Sequence, residues 1–75
     1  MSGIKNEKIK LALKEYYQGL DYKEKDDLRS AQRHLVRALR LLEEAYRECV
    51  GVEKMIVIRL FENISRILKA IEDKF

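Results

Sequence analysis

Seven residues in the middle of the chain, Leu28, Ala31, Leu35, Ala38, Leu42, Ala45 and Cys49, recur at alternating steps of three and four. A stripe sustained over three heptads is the seam of a helical bundle or coiled coil. Its alanines let a neighbouring helix approach closely, and its leucines fill the layers between; Leu39 and Tyr46 widen it. The pattern predicts a helix over about 27–50. Gly51 follows the last stripe residue and suits a left-handed C-terminal cap, and Arg47 lies where the helix dipole favours positive charge.

Two further helices flank it. Ile9, Ala12, Leu13, Tyr16 and Leu20 line one face of a helix over about 5–22, with Leu11, Tyr17 and Tyr22 off the stripe and fraying before Lys5. Gly19 weakens its last turn or admits a neighbouring backbone. Ile56, Val57, Leu60, Phe61, Ile64, Ile67, Leu68, Ile71 and Phe75 share one face of a helix over about 53–74. Glu53 in its first turn and Lys74 in its last suit the dipole. The intervening Lys23-Glu24-Lys25-Asp26-Asp27 breaks the apolar pattern, with Asp26 or Asp27 as N-cap. Without that break, the first two helices would form a rod of roughly 68 Å, which only a dimer could cover.

The expected fold is therefore all-α: one domain, 1–75, an antiparallel up-down-up three-helix bundle. The alternative is a long helical hairpin that pairs into a dimeric four-helix bundle. A chain of this length buries only about 60% of the surface its unfolded form exposes. One cysteine allows no internal disulfide, so helix packing or self-association must hold the structure together. Proline and threonine are missing, and 39% of residues are charged. Abundant Ile, Lys, Arg and Glu beside few Asn and Gln match the usage of proteins from hot environments. No apolar run reaches the roughly 18 residues of a membrane span, nor does the start show a secretory signal; a cytoplasmic location is the default.

Catalytic constellations are missing from the sequence, so a non-enzymatic chain without cofactor or metal is expected. Cys49 lies on the seam, where burial raises a thiol's pKa and keeps it inert. His34 has no Asp, Glu or Cys three or four residues away, and an edge or solvated position is expected for it. The basic patch carries more information. Arg29, Arg33, Arg37 and Arg40 project within about 80° of one another at 100° per residue, opposite Leu35. The segment from Leu28 to Arg40 carries +4 of a whole-chain net charge of +3. Such a stripe meets phosphates or an acidic peptide by charge-assisted hydrogen bonds; otherwise it is solvated and balanced by acids on neighbouring helices. No aromatic is interleaved with it. Glu43–Arg47, Glu62–Arg66 and Lys69–Asp73 are spaced as ion pairs along the helices.

Apolar residues also lie off the stripes: Val36 and Leu41 on the second helix, Met55 and Ile58 on the third. Met55 and Ile58, one turn apart with Arg59 beside them, form a candidate shelf for a partner helix, with Leu41 as a further contact.

The helix pair from Ala12 through Leu42, with Leu28-x-x-Ala31-x-x-x-Leu35-x-x-Ala38-Leu39-x-Leu41-Leu42, resembles the helical hairpins of MIT domains and tetratricopeptide repeats. The length and three-helix plan look like an MIT domain across nearly the whole chain. That resemblance implies a trafficking or membrane-remodelling adaptor whose inter-helix grooves take helical or extended peptides from filament-forming partners. The Gly-Asn/Asp-Tyr turn usual in that family is replaced here by Lys25-Asp26-Asp27-Leu28, and none of the family's binding residues is carried over. Three functional readings follow. The first is a module that binds a partner helix or peptide. The second is a small basic nucleic-acid-binding protein using the arginine stripe. The third is a homodimeric structural bundle.

Overall fold

The computed structural model describes residues 6–75; Lys5 and the fraying expected before it lie outside the described residues. Three helices follow in order, α1 (Glu7–Glu24), α2 (Leu28–Glu48) and α3 (Val52–Glu72), with no strand among the described residues. They form the up-down-up bundle, and α2 is its centre, packed against both neighbours. The stripe of α2 explains this placement. Ala31, Leu35, Ala38, Leu42 and Ala45 are all fully buried, and Cys49 nearly so. Ile9 and Ala12 from α1 and Val57, Ile64, Leu68 and Ile71 from α3 complete the core.

The connection between α1 and α2 is a true break, which removes the long-rod alternative. Asp26 takes φ 63°, the left-handed conformation that usually falls to glycine at the residue after a helix. The Asp26 amide donates to the Lys23 carbonyl, and the Asp27 amide reaches back to Tyr22 at 2.9 Å. These are the paired bonds of a Schellman ending, made here around an aspartate. Asp27 then caps α2, its Oδ1 accepting from the Ser30 amide at 3.2 Å.

Gly51 departs from expectation. Its φ of 64° combined with a ψ of −133° is a conformation open essentially to glycine and not that of a left-handed cap, and it stands as the N-cap of α3. α2 instead ends in extended backbone at Cys49. At the other end α3 stops at Glu72, so its last-turn cation is Lys69 and not Lys74. Phe75 consequently leaves the apolar face on which its spacing placed it. The chain turns at Asp73–Lys74, and the Phe75 ring is 63% exposed.

Gly19 is buried where α1 crosses α2. A methyl group added there would lie 2.8 Å from the Leu35 Cγ and 3.3 Å from the Ala31 carbonyl oxygen. Of the two roles its position suggested, close approach is the one the structure shows.

Asn6 clasps the three helices at one end. Its Oδ1 accepts from the Lys8 and Ile9 amides at 2.8 and 3.2 Å, capping α1. Its Nδ2 donates to Glu48 at the end of α2, and its backbone amide donates to Glu53 at the start of α3. Lys8 adds ion pairs to Glu48 and Glu44. Hydrogen bonds from Lys8 and then Asn6 hold the Glu48 carboxyl below the usual carboxylate range, and the bond to Glu48 holds Lys8 above its ordinary value. Because Glu48 is depressed, the unfolded chain binds the extra proton in the interval between its two pKa values. The contribution of Glu48 is therefore complete above the ordinary carboxylate pKa and is lost as pH falls through the lower folded value. Lys8 behaves oppositely, its contribution fading as pH rises through the raised ammonium pKa. Asn6→Ala is expected to cost about 0.5–2 kcal/mol through the lost cap. Glu48→Gln is expected to flatten the acid limb of a stability–pH curve measured by urea unfolding. An acid limb identical to that of the unsubstituted protein would show that the clasp contributes nothing.

Candidate functional site

Two surfaces stand out along α2. The first is the arginine face. Arg29, Arg33, Arg37 and Arg40 are all exposed and line one shallow cleft with Gln32, Val36 and Phe75. Helical spacing aligns the four guanidinium groups, and the antiparallel return of α3 brings Phe75 against them. No Asp or Glu among the described residues lies within 4 Å of any of the four. No ion pair closes on the stripe among the described residues, although Arg37 and Arg40 share the crease between α1 and α2 with Glu15 and Glu44. The spaced pairs Glu43–Arg47, Glu62–Arg66 and Lys69–Asp73 are likewise not closed. The bundle spends its acids elsewhere, on Lys8, Lys10, Lys25 and His34.

The second surface is the groove between the end of α2 and the start of α3. Leu42, Tyr46, Val57, Ile58 and Phe61 form its floor. Glu43 and Glu62 rim one end, and Arg47 and Lys54 rim the end nearer the Gly51 turn. The Lys54 ammonium lies over the Tyr46 ring, 4.4 Å from its centroid, a cation–π contact that keeps positive charge at that end.

The residues singled out as a partner shelf do not all meet. Ile58, 42% exposed, is in this groove. Met55 is 62% exposed and Arg59 is also open to solvent, yet neither lines the groove floor. Leu41 is half-buried against the core and faces a different crease, between α1 and α2, beside Leu11 and Arg40. Val36 and Tyr22 are half-buried too, so the spare apolar surface is smaller than the helical wheel implied.

Of the two positions expected for it, His34 takes the edge one, half-buried rather than solvated. Its Nδ1 lies 2.9 Å from Glu15 Oε2, and its ring stacks on Tyr22 at 5.2 Å between centroids, tilted 8°. The sequence hides this partner because it comes from α1 rather than from a neighbouring turn of α2. The register that sets Gly19 against Ala31 and Lys8 against Glu44 also sets Glu15 against His34. Cys49 is buried, and burial first, then the nearby Glu53 and Glu48 charges, pushes its thiol pKa up. A thiol so placed is a poor nucleophile at neutral pH. His34 and Cys49 lie 15 residues apart on one helix, roughly 22 Å at 1.5 Å per residue, too far to act on one atom. Among the described residues no three His, Cys, Asp or Glu side chains converge to hold a metal ion. Nor is any of these helices long and apolar enough to cross a membrane.

No protein-family model, curated protein or solved structure matches this chain.

Proposed function

We propose that the protein is a non-enzymatic interaction module that seats a partner's amphipathic helix in the α2–α3 groove. The observation that carries this reading is the polarity of that groove. Its apolar floor runs between an acidic end, Glu43 and Glu62, and a cationic end, Arg47 and Lys54. A helix presents partial positive charge at its N-terminus and negative charge at its C-terminus. The complementary occupant therefore runs in the same direction as α2, with its N-terminal turn at Glu43 and Glu62. The eight steps along the helix from Lys54 to Glu62 span about 12 Å, room for two turns of a partner contributing apolar side chains at i, i+3 or i+4, and i+7. The resemblance of the Ala12–Leu42 helix pair to MIT domains supports the same kind of partner.

The test is selection from a displayed library of amphipathic helical peptides. Enriched peptides are expected to carry basic residues at the N-terminal end and acidic residues at the C-terminal end. Ile58→Glu should abolish their binding while leaving the melting curve nearly unchanged, since Ile58 is partly open to water. Peptides that bind Ile58→Glu as well as the original protein would sink the proposal, as would a library that yields none. Sedimentation equilibrium covers the remaining occupant. A species of twice 8.9 kDa that Ile58→Glu dissociates would place a second copy of this chain in the groove instead.

A further inference from the structure

We infer that the other surface, the arginine cleft closed by Phe75, binds single-stranded nucleic acid. Four features of the cleft point there. The helix α2 carries five arginines and no lysine, although lysines outnumber arginines nine to seven in the whole chain. Arginine rather than lysine is the side chain matched to phosphate oxygens, through its planar fork of donors. From Arg29 to Arg40 the four charges extend along roughly 16 Å of helix, and no acid occurs in the sequence between Asp27 and Glu43. Their guanidinium groups have no acidic partner among the described residues, so an incoming phosphate displaces no internal ion pair. Lastly, the exposed ring of Phe75 lies in the same cleft. A flat ring beside a basic track is the platform on which an unpaired base stacks. A duplex, whose bases are already stacked on one another, cannot use that ring, and an acidic peptide has no need of it. The ligand class is thus a single strand, with the phosphates on the arginines and a base on Phe75. Whether the sugar is ribose or deoxyribose is left to the probes.

The experiment is fluorescence anisotropy of labelled dT12 and U12 with the full chain, beside a 12-base-pair duplex and polyglutamate as competitor. Neutralising four phosphates of a single strand gives a slope of log affinity against log salt of about −2.8, or roughly a 50-fold loss between 50 and 200 mM salt. The double substitution Arg33→Glu/Arg37→Glu should abolish binding at 200 mM salt. Phe75→Ala should weaken it at least about fivefold and leave the salt slope alone, and Phe75→Trp should restore it. All of these side chains are exposed, and an unchanged thermal melt monitored by circular dichroism confirms that the fold is intact. A preference for dT12 or U12 assigns the strand. The inference is overturned if neither strand binds or if binding ignores salt. It also fails if polyglutamate or the duplex binds as tightly while Phe75→Ala has no effect. Ile58→Glu, which disables the separate groove nearer the Gly51 turn, should not change strand binding.

Discussion

Leu35→Ala is expected to lower the unfolding free energy by about 2–5 kcal/mol, the range for removing a buried leucine. Leu35 is fully buried in the middle of α2, one of six large side chains buried to that degree among the described residues. Domains typically have about 5–15 kcal/mol of stability in all, and a chain this short has little surplus. Urea unfolding followed by circular dichroism should therefore show a large fall in midpoint with little change in slope. The interaction with Gly19 makes the prediction sharper. Gly19→Ala improves helix propensity by about 1 kcal/mol, but the new methyl would lie 2.8 Å from Leu35, and overpacking costs about 1–3 kcal/mol. Since Leu35 is enclosed and the Ala31 carbonyl lies on the other side, the clash should win and Gly19→Ala should destabilise. Combined with Leu35→Ala, the same methyl enters the space the leucine vacates. The double substitution should then be more stable than the sum of the two single changes by about 1 kcal/mol or more, as expected for residues that touch. Strict additivity, or a Leu35→Ala cost below about 1 kcal/mol, would show that α1 does not cross α2 at this point.

The parts of the fold that were legible in the sequence share one property: they are set by periodicity within a single helix. The α2 stripe foretold burial of Ala31, Leu35, Ala38, Leu42, Ala45 and Cys49, with only Leu28 at its start left half-buried, and the same reasoning put the four arginines in water. A cap at Asp26 or Asp27 was recognisable because a carboxylate ahead of an apolar run has a local use, and the structure gives that place to Asp27. What stayed hidden depends on packing between helices. Glu15 reaches His34 from 19 residues away, and Asn6 reaches Glu48 from 42. Such pairings need the hairpin register, which the apolar stripes constrain only to within a turn. Phe75 escaped for a different reason. Its place in the α3 stripe assumed that the helix continues, and neither glycine nor proline marks the stop at Glu72. That missed ring matters to the proposed strand-binding cleft, because it supplies the aromatic group that the arginine stripe lacks on its own helix.

Both surfaces depend on how α3 returns along α2, and that return is set at one residue. Gly51 has φ 64° and ψ −133°, the mirror image of an ordinary extended conformation, which glycine enters freely and an L-residue does not. Gly51→Ala is therefore expected to cost about 1–3 kcal/mol, although nothing lies within 4 Å of the methyl it adds. The penalty comes from backbone conformation alone, since the added methyl meets only open space. That distinction can be tested by chemical synthesis with D-alanine at position 51. A D-residue favours this very region, so the D-form should instead gain about 0.4–1 kcal/mol by restricting the unfolded chain. Opposite signs for L- and D-alanine would show that the turn holds its mirror-image conformation in solution. Equal effects would mean that it relaxes. The consequence would then reach both partners. The cation-rimmed end of the α2–α3 groove sits beside this turn, and the far end of α3 carries Phe75. A change in the exit angle at Gly51 would move that far end, some 32 Å of helix away at 1.5 Å per residue, out of reach of the arginines. Gly51→Ala should accordingly weaken strand binding beyond what its effect on stability explains, whereas the D-alanine form should bind as the original protein does.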